Sequence, residues 1–260
     1  TEWGLRTIVG LKTEANEAAG ALYFPVGTLR TTEWSLNFQL APGRTYVNTK
    51  QRRYPINMDA PVFSLGHTMG MKFLGGDYRY NFTEAGIYKR FWMNSWGKID
   101  ARVKAGAQWN KVPFPLLIMP AANLSYIRQD ETFNMINNME FLNDRYASLD
   151  VAWDLNGKIL NRIPLLKKLK WREYIGVKTL WGKLTDRNNP TLLANAADPM
   201  LWAFPVGSYV MDAKRPYVEL IAGVHNIFKI LHVEFVHRCN YTHLPTAKRN
   251  GVRFMMRVTF

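Results

Sequence analysis

Cysteine is almost absent: Cys239 stands alone among 260 residues. No internal disulfide can form, and no zinc site can be built on cysteines alone. Long apolar runs are missing too. The best candidates, "VPFPLLIMPAA" at 112–122 and "PMLWAFPVGSYVM" at 199–211, are shorter than the roughly 18 residues of a membrane-spanning helix or are cut by proline. A helical span is excluded. Low-complexity stretches, internal repeats and a dividing linker are also lacking, so residues 1–260 read as a single domain. Negative charge is scarce, with 34 Lys and Arg against 20 Asp and Glu and a net charge of +14. Such an excess points to nucleic acid, anionic lipid or an acidic ligand. Here the basic residues are spread evenly along the chain and no nucleic-acid motif accompanies them, which argues against nucleic acid. The chain opens on Thr1 without methionine or signal peptide, the expectation being a mature form or a fragment.

What is present is alternation. A strand places successive side chains on opposite faces. At the C-terminus Val252, Phe254, Met256, Val258 and Phe260 share one parity, while Arg253, Met255, Arg257 and Thr259 share the other. The same pattern runs through 33–40 and 62–72, where His67 is the exception on the apolar face. It is cleanest in 96–109 and 146–158, and looser in 3–13, 78–92, 169–184, 214–226 and 230–242. Ten strands of roughly 9 to 15 residues are expected, the length that tilted membrane-spanning strands need. One or two more are expected near 21–29 and 122–141.

Two architectures fit a ribbon with one apolar and one polar side. In a soluble sandwich the apolar side packs on a second sheet; in an outer-membrane barrel it faces lipid and the polar side lines the lumen. Strand length, the 13% of aromatic residues and the terminal phenylalanine favour the barrel. The connections add to this, with tight turns at 73–77, 93–95 and 227–229 read on one side and long loops at 41–61, 110–133 and 185–213 on the other. The fold class is therefore all-β, an antiparallel transmembrane β-barrel with about 10 to 12 strands in this chain.

Several blocks, "VPFPLLIMPAANLSY", "MEFLNDRYASLDVAWDLNG", "IPLLKKLKWRE" and "PYVELIAGVHNIFKI", resemble a Gram-negative outer-membrane family of unknown function. Its full-length members carry an N-terminal carboxypeptidase-regulatory-like domain ahead of a C-terminal barrel, and the resemblance covers most of 33–260. A more distant resemblance is to the barrel-assembly and two-partner-secretion superfamily, which implies a sixteen-stranded barrel of which this chain is a part. The ending at 214–226, 227–229, 230–242, 243–249 and 250–260 is similar to that superfamily's last strands. Glu140 and Arg145 fall near its acidic and basic pattern after a lumen-folded loop. That loop's arginine-glycine-aromatic triplet is missing from 110–133. The resemblance further implies that Phe254, Val258 and Phe260 form the C-terminal signal read by barrel-assembly machinery. If strands are missing, the remaining ones either belong to a longer chain or close into a smaller barrel of ten to twelve, because open edges in lipid leave backbone groups unpaired.

The polar parities supply the candidate site. Lys98, Arg102, Lys104, Arg172, Lys178, Arg238, Arg253 and Arg257, with Asp100, Asp150, Asp154, Glu219 and Glu234, are expected to line the lumen as ladders of opposite charge. Lys158 shares that parity. Such a set serves an anion-favouring channel, a socket for an inserted loop, or plain structural pairing. His225, His232, Glu234, His237, Cys239 and His243 cluster in sequence, but His237 and Cys239 take the opposite parity, so four ligands cannot converge on a metal. "GHTMG" at 66–70 has the letter spacing of a nucleophile elbow without the required strand-to-helix turn, and its glycines read as packing at the wall. "IPLLKKLKWRE" at 163–173 reads as a connecting turn leading into a strand, or as a basic segment on a membrane surface. The proline-stiffened, apolar segment 110–133 is expected to fold into the mouth or lumen as a partial plug. No catalytic residue, metal or cofactor is expected, and the chain does not read as an enzyme. The expected role is envelope assembly, translocation or anchoring in the bacterial outer membrane. The partners are outer-membrane lipid, barrel-assembly machinery and other envelope proteins. The alternatives are a passive or anion-preferring channel and, third, an outer-membrane enzyme with its site at the extracellular rim.

Overall fold

The computed structural model describes the backbone of residues 2–9 and all of residues 29–257. Alternation is realised as ten strands in one sheet: β1 (Glu2–Val9), β2 (Arg30–Leu40), β5 (Val62–Met71), β6 (Tyr80–Trp92), β7 (Lys98–Gln108), β8 (Arg145–Asp154), β9 (Arg172–Lys183), β10 (Tyr217–Ile227), β11 (Leu231–Arg238) and β12 (Asn250–Met256). Each pairs antiparallel with its neighbour in chain order, so the sheet is a pure meander. A separate hairpin, β3 (Tyr46–Asn48) with β4 (Arg53–Pro55), lies in the connection between β2 and β5. The hairpin was not expected from the sequence, because three-residue strands carry too little periodicity to register. The expected segment at 3–13 appears over its first part, and residues 10–13 and 21–28 lie outside the described residues.

Three expectations need correction. No strand forms in 122–141; its asparagine-rich, aperiodic chain makes isolated bridges instead, such as Ala122 to Phe133. "IPLLKKLKWRE" is not a simple turn. Pro164 pre-sets the first helical position, and a short helix, α1 (Pro164–Leu169), runs until Lys170 turns left-handed at φ 53°. The connections also sort differently. Strict alternation of strand direction puts the turn at 72–79 on the same end as 109–144, 184–216 and 239–249. The opposite end carries 41–61 with 93–97, 155–171 and 228–230.

The two faces of the sheet differ sharply. Phe63, Leu65, Met69, Ile87, Val103, Ile175, Leu220, Phe235 and Phe254 are exposed on one side. On the other, long side chains are buried beneath the segment 109–144 between β7 and β8. Val112, Phe114 and Leu117 pack with Tyr80, Leu142 and Leu184. Phe133, Ile136 and Phe141 pack with Leu180, Met211 and Tyr217, and Met135 with Tyr174, Ile221 and Val236. The core therefore lies between the sheet and its own long loop, with no second sheet stacked on the apolar face among the described residues. "GHTMG" lies within β5, where a side chain at Gly70 would overlap the Tyr80 ring and one at Gly66 would press on Asn37.

Edge strands β1 and β12 are not paired with each other among the described residues. Closure into a smaller barrel, one of the two expected outcomes, is not observed. The free edge of β12 instead meets the long segment: Phe254 N–H donates to Tyr126 O and Arg128 N–H to Phe254 O, both at 2.7 Å.

Candidate functional site: a charged row crossed by the long segment

Antiparallel register brings five charged residues into one row across the inner face. Arg102 on β7 faces Asp150 on β8, Asp150 faces Lys178 on β9, Lys178 faces Glu219 on β10, and Glu219 faces Arg238 on β11. The signs alternate strand by strand. The charges expected to face one another across a lumen are here neighbours on adjacent strands of one face.

Residues 131–140 lie along that row and bind it strand by strand. Glu131 pairs with Arg102 (3.3 Å) and with Lys104. The carbonyl of Thr132 accepts from Lys178 Nζ (2.7 Å), which also sits 3.4 Å from Asp150. Glu219 accepts from the backbone N–H of Asn134 (3.1 Å) and Met135 (3.2 Å), from the Asn134 amide and from the Tyr217 hydroxyl. Arg238 pairs with Glu140 at 2.5 Å, both side chains fully buried, and donates to Met135 O at 3.0 Å. Breaking such a buried pair by removing one partner strands the other charge. Four strands are thereby tied to one ten-residue stretch.

A second set of clamps lies toward β12. Arg128 pairs with buried Glu234 at 2.5 Å, donates to the Tyr174 hydroxyl at 3.1 Å and stacks over that ring. Segment 110–133 lacks the arginine-glycine-aromatic triplet, yet Arg128 reaches a strand carboxylate from within it. Glu234 also takes His225 Nε2 at 2.9 Å. His225 stacks on Tyr174 with ring centres 4.4 Å apart, and His232 meets it edge-on at 4.5 Å. Arg253 donates to the carbonyls of Asn123 and Asn134.

All thirteen charged candidates fall on the inner side. Glu219, Glu234, Arg238 and Arg253 are buried under the segment. Lys98, Asp100, Arg102, Asp150, Asp154, Arg172, Lys178 and Arg257 line a cavity of about 530 Å³ beside it. Lys104 lines another of about 450 Å³, together with the buried side chains of Gln108 and Asn143. Asp100 is held by Arg90 in a bidentate pair (2.6 and 2.9 Å) and by Tyr88 (2.8 Å). Phe254 lies on the outer side of β12, exposed, while Val258 and Phe260 lie outside the described residues. His237 bonds Asn250 on the other parity and Cys239 is exposed. Among the described residues, no three His, Cys, Asp or Glu side chains are grouped as metal ligands.

Sequence reasoning missed Arg90, Arg128, Glu131, Asn134 and Tyr174. Arg128, Glu131 and Asn134 sit in aperiodic chain, where parity carries no information. Glu131 is the one carboxylate of the loop with a clear shift. Burial raises its pKa, but the hydrogen bond from Lys104 and the charges of Arg102, Lys104 and Lys178 outweigh that and hold it below its ordinary 4.5.

The sequential antiparallel sheet is similar in fold to part of the BamA barrel. The crystal structure of BamA from Haemophilus ducreyi lacking POTRA domains 1–3 superposes with a TM-score of 0.50 at 12% identity, over 89% of this chain and 44% of that one. This chain thus spans less than half the length of that structure. A family model describing the C-terminal domain of DUF5686, a family of unknown function, matches residues 13–188. The chain belongs to that family. No curated protein matches it.

Proposed function

We propose that this chain is part of an integral β-barrel of a bacterial outer membrane, with lipid against its exposed apolar face and residues 109–144 plugging its lumen. It serves envelope assembly, translocation or anchoring, and is neither an open pore nor an enzyme. One observation carries this reading: the long segment is bound residue by residue along the charged row, filling the space that an open channel would leave to water.

The outer face supports the membrane setting. Exposed aromatics sit toward the strand ends of that face, Phe91 and Trp96 at one end and Trp109 and Trp181 at the other, with Leu, Ile, Val, Met, Phe and Trp34 between them. Aromatic girdles bounding an apolar band are the mark of membrane barrels. By the same rule the end with the tight turns 93–97 and 228–230 faces the periplasm. The fold likeness to BamA supports this location and carries no activity over to this chain.

The test is conductance in planar bilayers. The plugged reading expects the intact protein to be closed and a variant lacking 112–122, or the unlatched Arg128→Ala, to conduct. An intact protein that conducts steadily would sink it. A second reading, an anion-preferring channel, is favoured by the 530 Å³ cavity, where seven Lys and Arg face five Asp and Glu. It expects an anion-selective reversal potential from the unmodified protein.

A further inference from the structure

We infer that the connection between β8 and β9 is a docking surface for anionic phospholipid headgroups at the periplasmic membrane surface. This rests on the membrane reading above and adds a specific lipid partner to it. Five cations, Lys158, Arg162, Lys167, Lys168 and Lys170, fall within the connection 155–171 without one acidic residue. Ile159, Ile163, Leu165 and Leu169 stand exposed among them, Leu165 at 74%. In water alone, four large apolar side chains on one short connection have no use; at a headgroup boundary they enter the acyl region while the lysines meet phosphate.

The shape is set in advance. Glu173 accepts the backbone N–H groups of Ile159 and Leu160, Asn226 Nδ2 donates to Lys170 O at 2.7 Å, and left-handed Lys170 closes α1. The connection is also continuous with the outer wall's aromatic band. Lys158 Nζ lies 5.4 Å over the Trp96 ring and bonds Ser95 Oγ at 2.9 Å. Trp96 and Trp153 stand 6.3 Å apart, and the Trp153 indole donates to Trp96 O. Indoles prefer the headgroup level, with the ring toward hydrocarbon and the N–H toward polar partners. A soluble acidic protein would satisfy the lysines but not the continuity of exposed leucine and isoleucine with that band.

The experiment uses the full chain, with Cys239→Ser, in nanodiscs of phosphatidylcholine with or without phosphatidylglycerol. A nitroxide is placed at Leu165→Cys, with Ile163→Cys as a second site, and at Phe235→Cys on the outer wall as a control. Collisions with oxygen and with a water-soluble nickel chelate report depth. Both loop labels are expected to favour oxygen over nickel, less strongly than the wall label. Phosphatidylglycerol should be enriched around the protein, and Lys167→Gln/Lys168→Gln/Lys170→Gln should weaken that enrichment roughly fivefold or more. Loop labels open to nickel beside a protected wall label would overturn the docking and leave the membrane wall standing. Nickel access at all three sites would overturn the wall as well. Protected loop labels with no enrichment, or enrichment unchanged in the lysine variant, would overturn headgroup recognition.

Discussion

Arg238 and Glu140 are each 0% exposed and lie 2.5 Å apart beneath the long segment. Removing one partner leaves a buried charge unmatched, at about 3–5 kcal/mol. Arg238→Leu should therefore lower stability by that amount in urea unfolding from detergent, and adding Glu140→Leu should recover part of it. Additive losses would mean the pair does not interact. Glu131 gives a pH signature. Its folded pKa is depressed, so its stabilising effect is full above about 4.5 and is lost as pH falls through the folded value. Its side chain is 45% exposed, so screening limits the effect to under about 1 kcal/mol. Proteolysis within 126–132 should quicken modestly as pH drops below 4.5, and Glu131→Gln should abolish that dependence. At this scale the sequence was half legible. Parity placed Lys178, Glu219 and Arg238 on one face; of their partners in chain without a period, Glu140 was flagged only by resemblance, and Thr132 and Asn134 had no signal to betray them.

At the scale of elements, the strands were readable because each long ribbon repeats its period over many residues, as 98–108 and 145–154 do. The hairpin at 46–55 and α1 were not, since three to six residues sample too little of any period. Which end each loop occupies follows from counting strands, so one unrecognised hairpin within 41–61 does not disturb it. The outer wall makes its own prediction. Val103, 44% exposed near the middle of β7, faces lipid in this account. Val103→Arg should destabilise the protein in bilayers by about 2–4 kcal/mol, whereas arginine toward the strand end, at Phe91, should cost about 1 kcal/mol or less. Equal and negligible effects would place that face in water. The long segment is a separable element: Arg128→Ala removes its contacts with Glu234 and Tyr174, and faster hydrogen exchange in 123–132 with an unchanged sheet is expected.

For the whole molecule, the physical claim is an inversion. Charge is buried against the chain's own segment, and Leu, Ile, Phe and Trp stand exposed over most of the opposite face. In water such a contiguous apolar surface drives association; in a bilayer it is the stable arrangement. Family membership and the BamA-type fold agree with that setting. The most direct measurement uses the nine tryptophans; among the described residues Trp34, Trp92, Trp96, Trp109 and Trp181 are exposed, all but Trp92 toward the outer wall. The purified protein is placed in nanodiscs whose phospholipid chains carry bromine, and its emission is compared with that in unbrominated lipid. Lipid against the wall predicts strong quenching by the brominated chains and weak quenching by aqueous acrylamide. Emission indifferent to bromine and readily quenched by acrylamide would contradict the account.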